Sequence, residues 1–292
     1  MRTKELLALM AGGWLAANAA AGGRPEMLVS TEWLAGHASD RSLVVLHVAR
    51  ERADYDAGHI PGACFVPWSE LAVTRDGIAN ELPPVADLQR LFARCGVSDD
   101  SRIVLYGDRL VLSATRAWFT LDYLGLGGRA ALLDGGLEKW RAEQRPVSKE
   151  EPAARQGRFT PHIRPDALVG IEQVRDLAWV AANVPSPDPL ILDVRPPAEF
   201  RAGHIPGAVN FYWPQTLTSK EMPTLRPLAE LLQMYQAIGV APGRTLVTYC
   251  NSGVQASQTY FVLKLLGYDV RLYDGSFSEW SQAKDAPVAK SE

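Results

Sequence analysis

The chain has 292 residues, 47% apolar and 22% charged, a balance that excludes collagen-like repeats and wholesale disorder. Lys+Arg 30 against Asp+Glu 33 leaves a net charge of −3, so no basic excess draws in a nucleic-acid backbone. At about 150 residues per domain the length suggests two domains, and three cysteines are too few for a disulfide scaffold.

The first segment reads as an address. Arg2 and Lys4 precede an uncharged, Ala- and Leu-rich run from Leu6 to Ala21 that ends in small residues. That order predicts a signal peptide over residues 1–21 and a periplasmic or secreted protein. Translation starting at Met27 would instead leave a cytoplasmic one, and an uncleaved segment would tether the chain to a membrane.

The chain then repeats itself. Asp56-Ala-Gly-His59-Ile-Pro-Gly-Ala63 returns as Arg201-Ala-Gly-His204-Ile-Pro-Gly-Ala208, seven letters of eight identical. The short apolar run Leu43–Val48 pairs with Leu190–Val194, and Ile103–Tyr106 with Leu246–Tyr249. Leu133-Asp-Gly-Gly136 with Trp140 pairs with Tyr273-Asp-Gly-Ser276 with Trp280. Four blocks in one order mean a duplication. Helical patterns at Ile171–Val180, Leu228–Ile238 and Gln255–Leu266 alternate with the strand-like runs. The fold class is therefore α/β, two tandem domains, each a parallel sheet flanked by helices on both faces. We place them at residues 27–147 and 166–290, joined by a polar linker over residues 148–165.

The two copies control for each other at the cysteines. Cys64 has Val209 as its twin and Cys95 has Ile238, so both read as small buried hydrophobes. Cys250 has Gly107 as its twin. It follows the strand Thr245–Tyr249 and opens the loop Cys250-Asn251-Ser252-Gly253-Val254-Gln255-Ala256, after which a helix begins. A thiol there faces the unpaired N–H groups and partial positive charge of a helix N-terminus, which predicts a lowered pKa and a nucleophilic thiolate.

These motifs resemble the rhodanese family, sulfurtransferases that carry sulfur on a cysteine. Phe200-Arg-Ala-Gly-His204-Ile-Pro-Gly-Ala208 resembles one family signature and Val270-Arg-Leu-Tyr273-Asp-Gly-Ser-Phe-Ser-Glu-Trp280 the other, with looser copies in the first half. The arrangement is similar to two-domain thiosulfate and 3-mercaptopyruvate sulfurtransferases, in which the first half is inert. The resemblance implies a Cys250 persulfide held by the Asn251–Ala256 loop, a small anionic sulfur donor and a thiophilic acceptor, with no metal or other cofactor. The neutral Asn251 and Ser252 sit nearer the mercaptopyruvate pattern, yet Glu199 stands where both subfamilies carry an arginine. Asp193 and Arg195 end another strand and could border the site, or Arg195 could brace the loop by pairing with Glu199. Arg116 is a candidate contact for the donor. His59 and His204 read as structural, since His59 recurs in the half without a nucleophile. Position 256 is Ala, so the Cys-x5-Arg clamp of phosphatases on this fold is missing. The competing reading is a non-catalytic sulfur carrier. No oligomeric state follows from these features.

Overall fold

The computed structural model describes residues 23–107, 111–184, 188–219 and 221–291; the predicted signal segment lies outside them. In the first half the elements run β1 (Leu28–Val29), α1 (Thr31–His37), β2 (Leu43–Ala49), α2 (Arg52–Asp56), β3 (Cys64–Pro67), α3 (Trp68–Leu71), β4 (Val73–Arg75), β5 (Ile78–Glu81), α4 (Val85–Arg94), β6 (Arg102–Gly107), α5 (Leu112–Tyr123), β7 (Ala130–Leu133) and α6 (Gly136–Ala142). The second half runs α7 (Ile171–Asn183), β8 (Leu190–Asp193), α8 (Pro197–Ala202), β9 (Val209–Asn210), α9 (Leu228–Ala237), β10 (Leu246–Tyr249), α10 (Val254–Leu265), β11 (Val270–Leu272) and α11 (Ser276–Gln282).

Each half is a parallel sheet, ordered β1-β7-β6-β2-β3 in the first and β11-β10-β8-β9 in the second. A lone parallel bridge from Leu168 to Leu272 occupies the place that β1 holds beside β7. Strands β2, β8 and β10 are buried along their whole length, which is why the sequence shows them as mainly apolar runs rather than alternating ones. The first half adds an antiparallel hairpin, β4–β5, turning at Asp76-Gly77 with positive φ at both residues.

The halves meet through α5 and α10. Trp118 packs edge-on against Phe261 with ring centroids 5.1 Å apart, and Phe119 against Tyr260 at 5.0 Å. One hydrophobic cluster runs without a break from Leu46 and Leu105 through Trp118 to Phe261 and Leu246. Two smaller clusters, around Trp140 and around Trp280, fill the outer faces of the two sheets. The connecting segment is a strap laid on the first half. Gly157 donates to the Ala93 carbonyl, His162 to Leu124 and Arg164 to Tyr123, while Phe159 is buried.

One sequence expectation is overturned here. Cys64 and Cys95 are not two separate apolar fillers but a disulfide, with Cα atoms 5.6 Å apart. The twins Val209 and Ile238 pack against the main core, and so does Cys64, but Cys64 is only partly buried. What the comparison of copies omits is adjacency: β3 and the end of α4 lie side by side, and two thiols there bond where two aliphatic groups only touch.

Candidate active site

Cys250 stands at the carboxyl end of β10, the edge where parallel sheets place their ligands. Its neighbours in register are the ends of β8 and β11, since Tyr249 pairs with Asp193 and Thr248 with Leu272. It is the free cysteine among the described residues and is buried. The chain turns sharply at Gly253, whose φ of 76° is in the left-handed region and caps α10. A side chain at Gly253 would collide with the Asp274 carboxylate, so glycine is required twice over.

This turn folds the loop around the sulfur. Burial pushes the Cys250 thiol above its ordinary range, while the nearby backbone N–H groups of Ala256, Ser252 and Gln255 and the Ser276 hydroxyl pull the other way. The net direction is upward, against the sequence expectation of a lowered pKa. The helix end is present, but the desolvation of a fully enclosed thiol outweighs it. Such a ring of amides still suits an anionic sulfur once one is formed.

The Ser276 hydroxyl locks this arrangement. It accepts from the Cys250 N–H at 3.2 Å and the Gly253 N–H at 3.0 Å, and donates to the Tyr273 carbonyl at 2.8 Å. Ser276 has φ of 53°, and its twin Gly136 has 57°. Both copies keep this left-handed corner, but only the second carries a hydroxyl to hold a loop. Sequence reasoning missed Ser276, although its place in the repeated Tyr273–Ser276 block was the available signal.

Asn251 and Ser252 face opposite supports. Asn251 is exposed and donates to Glu199 at 2.7 Å, while its carbonyl oxygen lies 3.5 Å from Arg195 Nη1. Arg195 does not pair with Glu199. Its guanidinium clasps Asp193, with Nε at 3.0 Å and Nη2 at 2.6 Å, donates to the Gly203 carbonyl and stacks on Phe277. Asp193 and Arg195 are thus a buried brace beneath the loop. Ser252 accepts from Asn80 Nδ2 of the first half at 2.9 Å. Asn80 has φ of 66° and its carbonyl accepts from Arg116 Nη2 at 2.5 Å. Nothing in the sequence signals that this hairpin residue reaches across.

Arg116 is fully buried and is not placed to meet a donor. Its Nη1 and Nη2 both donate to the Asp274 carboxylate, the latter at 3.0 Å, and Leu82 N–H donates to the same carboxylate at 3.0 Å. The pair locks the first half to the turn that carries Ser276. His59 and His204 are spent on backbone. His59 Nδ1 lies 3.0 Å from the Tyr55 carbonyl, and His204 Nδ1 lies 2.9 Å from that of Phe200, each ring stacked on the aromatic four residues before it.

Val254, Gln255 and Ala256 open α10. In the first half the equivalent position is closed. A Cβ on Gly107 would collide with Ser113 Oγ, which donates to the Val48 carbonyl at 2.9 Å.

The family model of the Rhodanese-like domain matches residues 30–143 and again 176–283. The chain belongs to the rhodanese family. Among relatives of this rhodanese is the sulfur carrier protein TtuD of Thermus thermophilus, 34% identical over 289 residues, covering 92% of this chain and 98% of that one. A thiosulfate sulfurtransferase of Corynebacterium glutamicum is 33% identical over 292 residues, covering 92% of each. The crystal structure of SseA from Escherichia coli, described among 3-mercaptopyruvate sulfotransferases, superposes with a TM-score of 0.73 at 28% identity. It covers 86% of this chain and 98% of that one. The two tandem sheets are thus the rhodanese fold twice over.

Proposed function

We propose that this rhodanese is a sulfurtransferase that moves sulfane sulfur from thiosulfate or 3-mercaptopyruvate to a thiophilic acceptor through Cys250. The observation that carries the reading is a buried free cysteine at the carboxyl end of β10, just before α10 begins. The relatives named as sulfurtransferases support the reaction class.

The Cys250 thiolate attacks the outer sulfur of the donor. The new S–S bond forms as the old bond breaks, and its electron pair leaves on sulfite, or on the carbon of 3-mercaptopyruvate, which becomes pyruvate on taking a proton. The persulfide stays within the amides of Ser252, Gln255 and Ala256, where Asn251, Gly253 and Val254 shape the loop. Cyanide or a thiol then attacks the terminal sulfur and returns Cys250 as thiolate, a ping-pong cycle. Arg116, Asp193 and Arg195 act in this reading as supports, holding the loop rather than the donor.

The runner-up is a sulfur carrier that loads Cys250 and hands the sulfur to a protein. The relative named a carrier favours it. Initial rates with each donor and cyanide, for the wild type and Cys250→Ser, separate the readings. Turnover abolished by Cys250→Ser supports the enzyme. Persulfide on Cys250 by mass spectrometry without turnover supports the carrier, and turnover that survives Cys250→Ser overturns both.

We further propose that residues 1–21 direct export, that residues 27–147 form an inactive half, that residues 148–165 link it to the catalytic half at residues 166–290, and that the protein works in the periplasm or outside the cell. A disulfide between Cys64 and Cys95 supports an oxidising compartment.

A further inference from the structure

The Cys64–Cys95 bond does more than close a loop of the first half. Between its ends lie α3, the β4–β5 hairpin and α4. That is the stretch whose Asn80 holds Ser252 and whose Leu82 holds Asp274. The disulfide therefore anchors both ends of the segment by which the first half grips the Cys250 loop.

The bond is also open to approach. Cys64 and Cys95 line a pocket of about 190 Å³, room for a molecule of several heavy atoms. Cys64 is partly exposed and Cys95 is 4% exposed, so Cys64 is the more accessible residue of the pair. Arg52, Arg94, Arg155 and Glu151 line the same pocket. Arg52 is paired with Asp56 and Glu151, and Arg94 with Glu70. Arg155 gives one N–H to the Leu43 carbonyl at 3.4 Å and, among the described residues, has no carboxylate at ion-pair distance. One cation is left over for an anion.

We propose that the Cys64–Cys95 disulfide is a redox site for a small anionic thiol, and that its reduction loosens the first half's hold on the active-site loop. The thiolate attacks Cys64 Sγ and forms a mixed disulfide. The pair of the broken S–S bond leaves on Cys95 Sγ, which takes a proton from water. A second thiolate attacks the bound thiol's sulfur, leaving the oxidised dimer of the thiol and the Cys64 thiolate. Two electrons pass from the thiols to the protein. The site stands without the sulfurtransferase reading; only its effect on turnover rests on that reading.

The test uses the full chain under native conditions. 2-Mercaptoethanesulfonate and 2-mercaptoethanol are compared at equal thiolate concentration, with freed thiols alkylated at intervals and mapped by peptide mass spectrometry. The sulfonate should open Cys64 and Cys95 about fivefold faster, what one unpaired charge at close range supplies even through water. Arg155→Gln and high salt should erase the difference, and Arg155→Lys should keep it. Equal rates for the two thiols, or no reduction before unfolding, would overturn the site. Amide hydrogen exchange then reads the coupling. Peptides containing residues 78–82 and 250–256 should exchange faster in the reduced protein and in Cys64→Ser/Cys95→Ser, with slower sulfur transfer in both. Unchanged exchange overturns the coupling. Faster exchange in a protein that transfers no sulfur in either state leaves the coupling standing and sinks the enzyme reading instead.

Discussion

Asp274→Asn measures how strongly the two halves are clamped. The substitution keeps the shape of the side chain but leaves the Arg116 charge inside the protein with the Asn80 carbonyl as its remaining strong acceptor. Asp274 now accepts from both terminal nitrogens of Arg116 and from Leu82 N–H. An amide offers one oxygen to these three donors and turns its own NH2 towards the guanidinium. Removing one partner of a buried pair costs about 3–5 kcal/mol. The retained oxygen puts this case at the lower end, about 3 kcal/mol. Urea unfolding followed by tryptophan fluorescence should show it as a midpoint lowered by roughly 1 M at a slope near 3 kcal/mol/M. The double variant Arg116→Met/Asp274→Leu should recover much of the loss, because the buried charge goes with its partner. It should still fall about 1–3 kcal/mol short of wild type, since Leu82 N–H and the Asn80 carbonyl lose their partners. A single-variant cost below about 1 kcal/mol, or a double variant less stable than the single, would refute the assignment of this pair as the clamp.

Three further outcomes follow from the same geometry. Burial, with help from Asp274 and Glu279, raises Glu81 to about 7. The native state therefore keeps a proton that the unfolded chain releases, and stability should fall as pH rises from about 4.5 to about 7; Glu81→Gln should flatten that interval and gain roughly 1–2 kcal/mol above it once solvent screening is allowed for. Gly107→Ala should cost the first half about 1–3 kcal/mol through its collision with Ser113, and adding Ser113→Ala should return most of it, read as thermal midpoints. Because the Cys250 thiol is raised, the rate of donor attack should climb without a plateau between about pH 7 and pH 9, and Ser276→Ala should move that limb higher still; a plateau below about pH 7.5 would mean that the amides outweigh burial.

Much of this was legible in the sequence because duplication writes the same physical constraints twice. The Gly-His-Ile-Pro-Gly-Ala blocks recur because each histidine must reach back to a carbonyl and stack on an aromatic ring. Cys250 stood out because its twin is a glycine, and the polar loop after an apolar strand marked the sheet edge. The illegible part is whatever depends on tertiary contact, within a copy or between the two. The thiol's direction of shift depends on how completely the fold encloses it, which no local pattern records. Arg116 read as a candidate donor contact because the sequence does not reveal Asp274 opposite it. Asn80 carried only the signal of an Asp76-Gly77 turn, and the disulfide needed the neighbourhood of β3 and α4.

The unbroken core through Trp118 and Phe261 has a consequence for what each half has become. The two copies present to each other aromatic faces that complete one shared core. The half without a free cysteine is not dispensable, because it walls in the half that carries Cys250. Such a chain should melt in one calorimetric transition rather than two. Severed at the strap, its pieces would be obliged to seek each other as a heterodimer, each serving as the other's missing interior.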